Sequence, residues 1–245
     1  MRFLLALASA SLLAAADHHE PAPGVAPVDA MVKLAAGNAR FAYGARTRSA
    51  RPGEDAARRN EIAPAQHPFA AVLTCADSRL APELIFDATV GDLFVVRNAG
   101  NVSEPVGLGS LEYAIAHLGV RVIVVLGHGS CGAVKAVCGS AGELPGNLAA
   151  IQHEMAGLKG FADTRQQAGA ETGAVIADAV AYNAEAQAAA LRTESPVLAA
   201  AEAAGSLLIL SAVYDLASGL VTFHPAAKVT PASEAAPAAP TSHGH

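Results

Sequence analysis

Three short apolar runs without polar alternation constrain the fold of this chain more than any other feature. They are FAAVLTC from Phe69, DLFVVRN from Asp92 and VRVIVVLGH from Val120. Strands that read as continuous apolar runs are typical of a parallel sheet covered on both faces. The segment between the last two runs, GLGSLEYAIAHLG, has helical periodicity and ends at Gly119. Alternating strands and helices predict an α/β fold with a central, mainly parallel β-sheet flanked by helices.

The flanking segments extend this pattern into a single domain. AMVKLAAGNARFA (30–42) predicts an N-terminal helical arm, and the polar stretch 47–68, which contains three prolines, predicts a surface excursion. Residues 171–193 are alanine-rich and predict a long helix. A second helix follows, with Ser195 as its N-cap and Gly205 as its stop. SLLILSAVYDL and LVTFH then predict two strands joined by a hairpin-like return.

The two ends of the chain differ from the domain between them. Residues 1–16 carry Arg2, an apolar stretch and three alanines, which is the layout of a cleavable secretory signal peptide. An uncleaved anchor is the alternative, but the apolar stretch is shorter than the roughly 18 residues that a spanning helix needs. We expect a linker at 17–28, the folded domain at 29–226 and a disordered Ala/Pro-rich tail at 227–245. The protein would then be periplasmic or secreted.

Charge and apolar patterning exclude two classes of partner. The formal net charge is -6 and no basic run is present, which argues against nucleic acid. After signal cleavage, no apolar run reaches the roughly 18 residues needed to span a membrane, so no membrane partner is expected.

The cysteine count leaves two possibilities open. The three cysteines, Cys75, Cys131 and Cys138, are an odd number and cannot all pair within one chain. Either two of them form a disulfide, or some are thiolates held by a metal.

Reactive side chains follow two of the predicted strands. In CADSR, the residues Cys75, Asp77 and Arg79 alternate, so on an extended backbone their side chains point to the same side. In GHGSCGA, His128 and Cys131 follow the third apolar run. Ligand sites of open parallel sheets lie beyond the carboxyl ends of the strands. If these strands are near neighbours, the two thiols and the imidazole meet.

Two thiolates and one imidazole form a natural ligand set for zinc. Three protein ligands, Cys75, His128 and Cys131, leave the fourth tetrahedral position open, as in catalytic rather than structural zinc sites. Cys138 lies two helical turns beyond Cys131, about 10 Å along a helix axis. Zn–S bonds are about 2.3 Å long, so Cys138 is not expected to join the site.

CADSR followed by HGSC resembles the zinc motifs C-x-D-x-R and H-x-x-C of the β-class carbonic anhydrases. The resemblance continues through IFDATVGDLFVVRNAGN, GSLEYAIAHLGV and AVYDLASGLVTF, from about KLAAGNARF to the last strand. It implies a catalytic domain at 29–226 that binds one Zn²⁺ per chain. The implied reaction is the reversible hydration of carbon dioxide to bicarbonate and a proton by a zinc-bound hydroxide.

The resemblance also implies residue roles and an assembly. Asp77 would accept a hydrogen bond from the hydroxide and Arg79 would hold that carboxylate, while in a closed state Asp77 would itself ligate zinc. The backbone N–H of Gly132 would bind the substrate anion. Active sites of the family lie at subunit interfaces, which implies a homodimer or homotetramer. Ala88 stands where the family has a glutamine that shapes the substrate pocket.

Three alternatives remain open at this point. The chain could be a related zinc hydrolase of carbonyl sulfide or carbon disulfide, because these enzymes use similar ligands. It could be a non-catalytic module stabilised by zinc, although Asp77 and Arg79 argue against that. It could also be a redox protein in which Cys75 and Cys131 form a disulfide.

Overall fold

The structure is a computed structural model that describes residues 24–47 and 54–224. Its helices are α1 (Pro27–Ala42), α2 (Glu54–Ile62), α3 (Pro82–Ile85), α4 (Pro105–Leu118), α5 (Gly132–Cys138), α6 (Leu148–Glu154), α7 (Leu158–Gln167), α8 (Thr172–Glu194) and α9 (Pro196–Ala203). Its strands are β1 (Ala70–Cys75), β2 (Leu93–Asn98), β3 (Val122–His128), β4 (Leu208–Tyr214) and β5 (Val221–His224). The predicted signal peptide (1–16) and tail (227–245) lie outside the described residues. Helix α1 begins at Pro27, within the segment predicted as a linker (17–28).

The strands form one sheet in the order β2-β1-β3-β4-β5. Strands β2, β1, β3 and β4 are parallel, and β5 pairs antiparallel with β4. The predicted mainly parallel α/β fold is therefore confirmed. Strands β1 and β3 are direct neighbours, with Thr74 opposite Leu126, so both end at the same edge of the sheet.

Both faces of the sheet are covered, which explains the apolar runs. All residues of β1 and β3 are buried. Alternate side chains along β1 enter two different cores: Val72 packs in one and Leu73 in the other. Helices α1, α5 and α7 contribute to the first core and α4 and α9 to the second, while the long helix α8 contributes to both. Strand β2 lies at the edge of the sheet and is mostly half-buried.

The predicted helix ends agree closely with the structure. The Ser195 hydroxyl accepts the Leu198 N–H at 3.1 Å, and Pro196 begins α9, as expected of a capped start. Gly119 ends α4 with φ +69°, a left-handed conformation that glycine adopts freely.

Four helices, α2, α3, α6 and α7, were not predicted from the sequence. Helix α2 forms inside the predicted surface excursion, where no Pro or Gly interrupts residues 54–62, and its described side chains are mostly exposed. Helices α6 and α7 occupy the segment between α5 and α8. Among residues 24–47 and 54–224, no helix combines the length and apolar character needed to cross a bilayer.

Candidate metal centre

The ends of two adjacent strands bring the predicted ligands together. Cys75 is the last residue of β1, His128 is the last residue of β3, and Cys131 directly precedes α5. The turn between His128 and Cys131 is tight: Ser130 has φ +55°, and the Gly129 N–H bonds to the carbonyl oxygen of β4 residue Tyr214 at 2.9 Å. The chain therefore turns back between His128 and Cys131, and Cys131 faces Cys75.

The three side chains form a compact and buried cluster. One ligand atom from each of Cys75, His128 and Cys131 lies within 4.8 Å of the other two. The two Sγ atoms are 4.0 Å apart. Two sulfurs bound to one tetrahedral zinc at about 2.3 Å each would be about 3.8 Å apart, so the observed spacing fits the ion.

The imidazole of His128 also suits a metal. Its Nδ1 lies 3.0 Å from the carbonyl oxygen of Gly129, an arrangement that fixes the proton on Nδ1. Its Nε2 is buried and has no hydrogen-bond partner among the described residues. A buried ring nitrogen with a free lone pair beside two thiols is what a zinc ligand requires, and the carbonyl is the outer partner that orients such a ligand.

The two buried thiols shift each other's pKa in opposite directions. The pKa of Cys75 is lowered, chiefly by its hydrogen bond with the Cys131 thiol, and the Gly100 N–H contributes in the same direction. The pKa of Cys131 is raised by the same hydrogen bond and by burial. A bound cation would favour the thiolate form of both sulfurs.

Asp77 and Arg79 lie at the margin of this cluster. The Arg79 Nε and Nη2 donate to the two carboxylate oxygens of Asp77 at 2.8 and 2.6 Å, and the Arg79 backbone N–H adds a third bond at 3.0 Å. This pairing holds the pKa of Asp77 well below its usual range. The nearer Asp77 oxygen is 3.9 Å from His128 Nε2. The carboxylate thus lies beside the three ligand atoms, fixed in its ionised form.

Two further residues support the site and were missed from the sequence. Arg97, near the end of β2, donates to the backbone carbonyl oxygens of Cys75 at 3.2 Å and Asp77 at 2.8 Å. The backbone N–H of Gly100 donates to Cys75 Sγ at 3.3 Å. The sequence signal was the segment RNAGN after the second apolar run, which comes close to CADSR because Cys75 pairs with Asn98.

The other candidate residues fall in different surroundings. Gly132 is exposed at the start of α5, and a side chain there would meet no atom within 4 Å. Ala88 is buried beside Asp87 and Phe86, in the wall of a small cavity. Cys138 is buried in the core at the far end of α5 and is not part of the metal cluster.

The thiol pair is not oxidised in this structure. Cys75 and Cys131 are free, and their separation of 4.0 Å is about twice the length of a disulfide bond. The structure therefore gives no support to the disulfide alternative.

Comparison with known proteins decides the family. The sequence profile of the family described as "Carbonic anhydrase" matches residues 70–221, more than half of the chain. The chain belongs to the carbonic anhydrase family. It is 38% identical over 201 residues to a carbonic anhydrase from Mycolicibacterium smegmatis, covering 81% of this chain and 94% of the relative. It is 48% identical over 126 residues to carbonic anhydrase 2 from Mycobacterium tuberculosis, covering 51% and 59%.

Solved structures agree on the class. The chain is similar to the Coccomyxa β-carbonic anhydrase in complex with acetazolamide, with a TM-score of 0.62, 29% identity and coverage of 69% and 77%. The β-carbonic anhydrase CcaA matches with a TM-score of 0.62 and 28% identity, over 80% of this chain and 88% of that one. The resemblance to β-class carbonic anhydrases is confirmed, and it assigns the chain to a family of lyases.

Proposed function

We propose that this chain is a zinc-dependent carbonic anhydrase that reversibly hydrates carbon dioxide to bicarbonate and a proton. The observation that carries the proposal is the convergence of Cys75, His128 and Cys131 within 4.8 Å, with the paired Asp77 and Arg79 at the margin. Three protein ligands leave one tetrahedral position of zinc open. When bound, zinc lowers the pKa of a coordinated water to about 7, as in the three-histidine carbonic anhydrases, and so supplies a nucleophile at neutral pH.

The ligand side chains are held before any metal arrives. Gly129 fixes the tautomer of His128, and the Gly100 N–H supports the charge of the Cys75 thiolate. Arg97 ties down the backbone on both sides of Ala76. Such preorganisation supports metal binding because the ligands are already ordered, so little free energy is spent on ordering them when the metal binds.

Asp77 acts as the acceptor that aims the nucleophile. It is ionised, and Arg79 occupies both of its oxygens on one side, which leaves lone pairs directed elsewhere. An acceptor for the hydrogen of the attacking oxygen turns that oxygen's lone pair towards carbon. Arg79 would also restrain Asp77 from ligating a bound zinc, and Asp77 would become a ligand only when this restraint is lost.

Gly132 is proposed to bind the substrate anion through its backbone N–H. It follows Cys131 directly and has open space where a side chain would be. A glycine at this position lets an anion approach the backbone closely.

A homodimer or homotetramer is proposed for the assembly. Val25, Val28 and Val32 expose 38%, 67% and 57% of their surface on and beside the N-terminal helix α1, an apolar stripe suited to a second copy of the chain. A neighbouring subunit is also the source from which a group replacing the missing glutamine at Ala88 would come. Light scattering of the purified protein gives the number of chains.

Export is proposed from the N-terminal sequence alone. Arg2, the apolar stretch and the following alanines support a signal peptide over residues 1–16, which lie outside the described part of the chain. N-terminal sequencing of the mature protein from a periplasmic fraction tests this, and a Met1 terminus in the cytosol would contradict it.

Stopped-flow hydration of carbon dioxide tests the proposed activity. The mature zinc protein is compared with an Asp77→Ala variant, which retains all three zinc ligands. We expect the variant to lose about 10²–10⁴-fold in kcat/KM, the usual cost of a positioned proton acceptor. Equal rates for both proteins would remove the role of Asp77. Faster turnover of carbonyl sulfide or carbon disulfide in parallel assays would reassign the substrate, and no turnover of any of them would leave a non-catalytic zinc module.

A further inference from the structure

We propose that Asn183 and Gln187, two buried amides on α8, are positioning residues of the metal centre. They hold the loop 98–103, whose Gly100 N–H supports the Cys75 sulfur. The inference rests on the proposed zinc site and extends it to a helix that contributes no ligand.

The two amides are buried polar side chains in an otherwise alanine-rich helix. Each is only 2% exposed, and the helix around them is alanine-rich. They are four residues apart, so they lie on the same face of α8. A buried amide is costly unless it is hydrogen-bonded, so a pair of them in an alanine-rich segment needs a specific set of partners.

Two of those partners lie in the loop and the third is the last residue of α6. Asn183 Nδ2 donates to the Gly100 carbonyl oxygen at 2.9 Å. Gln187 Oε1 accepts the Ser103 N–H at 2.8 Å, and Gln187 Nε2 donates to the Glu154 carbonyl oxygen at 2.8 Å. Gln187 Nε2 also approaches Asn183 Oδ1 at 3.4 Å, which orients the first amide. The pair therefore fixes where Gly100 lies.

Close packing of α8 on the sheet makes this reach possible. Gly127, next to the ligand His128, has Val180 and Ala184 of α8 at 3.3 and 3.4 Å from the position of an added Cβ. Because β3 has no side chain there, α8 can lie directly over the end of the strand. That placement brings Asn183 within reach of the loop.

The position of Gly100 in turn determines the hydrogen bond that its N–H makes to the proposed metal ligand Cys75. The φ of Gly100 is +85°, a left-handed conformation that favours glycine, and a Cβ there would lie 2.0 Å from Cε at the end of the Met155 side chain. The Gly100 N–H donates to Cys75 Sγ at 3.3 Å. A hydrogen bond to a thiolate sets how much charge the sulfur gives a metal, and such outer partners typically change metal affinity about 10–100-fold.

The experiment compares Asn183→Ala with a control of similar structural cost. Ser195→Ala removes the buried N-cap of α9, whose Leu198 packs in the core on the sheet face opposite α5. Zinc affinity is measured by chelator competition. The thiolate-to-metal charge-transfer absorption of the cobalt(II)-substituted protein reports on the ligand sulfurs.

We expect Asn183→Ala to bind zinc about tenfold more weakly and to shift the cobalt charge-transfer band. Ser195→Ala should leave both unchanged while lowering the unfolding midpoint. Gln187→Met keeps the length of the side chain and should change the zinc affinity and the cobalt band in the same direction, but by less. It replaces Asn183→Ala as the test variant if Asn183→Ala does not fold.

The outcomes separate this inference from the proposed function. A wild-type protein without a thiolate-to-cobalt band would remove the metal site itself. The wild-type protein could show a normal charge-transfer band while the folded variants show the same band and the same zinc affinity. That result would overturn only the role of the two amides. An equal change in Ser195→Ala would also overturn it, because general destabilisation would then explain the effect.

Discussion

The two ends of helix α5 carry the same side chain in opposite roles. Cys131 precedes the helix at the edge of the sheet, 4.0 Å from another thiol and beside an imidazole. Cys138 ends the helix in the core, where burial raises the pKa of its thiol. Only six residues separate this proposed ligand from a cysteine that packs in the core. Both residues are cysteines, so their different roles come from their positions relative to the strand ends.

The largest expected effect comes from removing the thiol at each end of this helix. Cys131→Ala should lose stoichiometric zinc and essentially all carbon dioxide hydration, because only two of the proposed ligands remain. Cys138→Ala should retain one zinc per chain and its activity, with the free energy of unfolding lowered by about 1 kcal/mol. Metal analysis, stopped-flow assay and denaturant unfolding measure these. Zinc loss in Cys138→Ala would break the comparison.

A smaller effect is expected at the margin of the site. Arg79→Ala should lower kcat/KM about 10–100-fold, because Asp77 loses the partner that orients it. Arg79 favours the ionised carboxylate, so its removal should raise the pKa of Asp77 towards the ordinary value of about 3.9. An NMR titration of the Asp77 carboxyl carbon measures that shift. Arg59→Ala, on the exposed side of α2, is the matched control; an unmoved Asp77 pKa in Arg79→Ala would contradict the pairing.

Two glycines extend the comparison of the helix ends to the substrate side. Gly132→Ala adds a methyl group in open space at the start of α5, so folding should be unaffected while kcat/KM falls about tenfold through crowding of the anion. Gly139→Ala, at the other end, should leave kcat/KM unchanged. Steady-state kinetics of both variants checks this, and an unaffected Gly132→Ala would remove the proposed anion contact.

The smallest effect is expected far from the metal. Ser195→Ala removes the N-cap bond to Leu198 and should cost about 1 kcal/mol of stability without altering hydration kinetics. Thermal unfolding and the stopped-flow assay measure the two quantities separately. Activity lost in proportion to stability would show that the site and the second core are not independent.

The cluster of candidate ligands was readable from the sequence because it depends on local pattern. Continuous apolar runs located the buried strands, and parallel strands place their carboxyl ends at one edge of a sheet. Cys75, His128 and Cys131 follow from that rule. Cys138 was separable from them by helical rise alone.

The supporting residues were not readable in this way. Gly100 and Arg97 reach CADSR only through the register of β1 against β2, which a single strand pattern does not contain. The role proposed for Asn183 and Gln187 depends on how closely α8 lies over β3. Helix α2 was missed because its polar sequence gives no apolar periodicity, the signal on which helix prediction rests.

The central claim is that one zinc ion is held by two sulfurs and one imidazole with a fourth position left for solvent. X-ray absorption spectroscopy of the purified zinc protein tests this most directly. We expect two sulfur scatterers at about 2.3 Å, one imidazole nitrogen at about 2.0–2.1 Å and one further light atom. A shell of four sulfurs, a single sulfur, or protein purified and reconstituted without bound zinc would contradict the account.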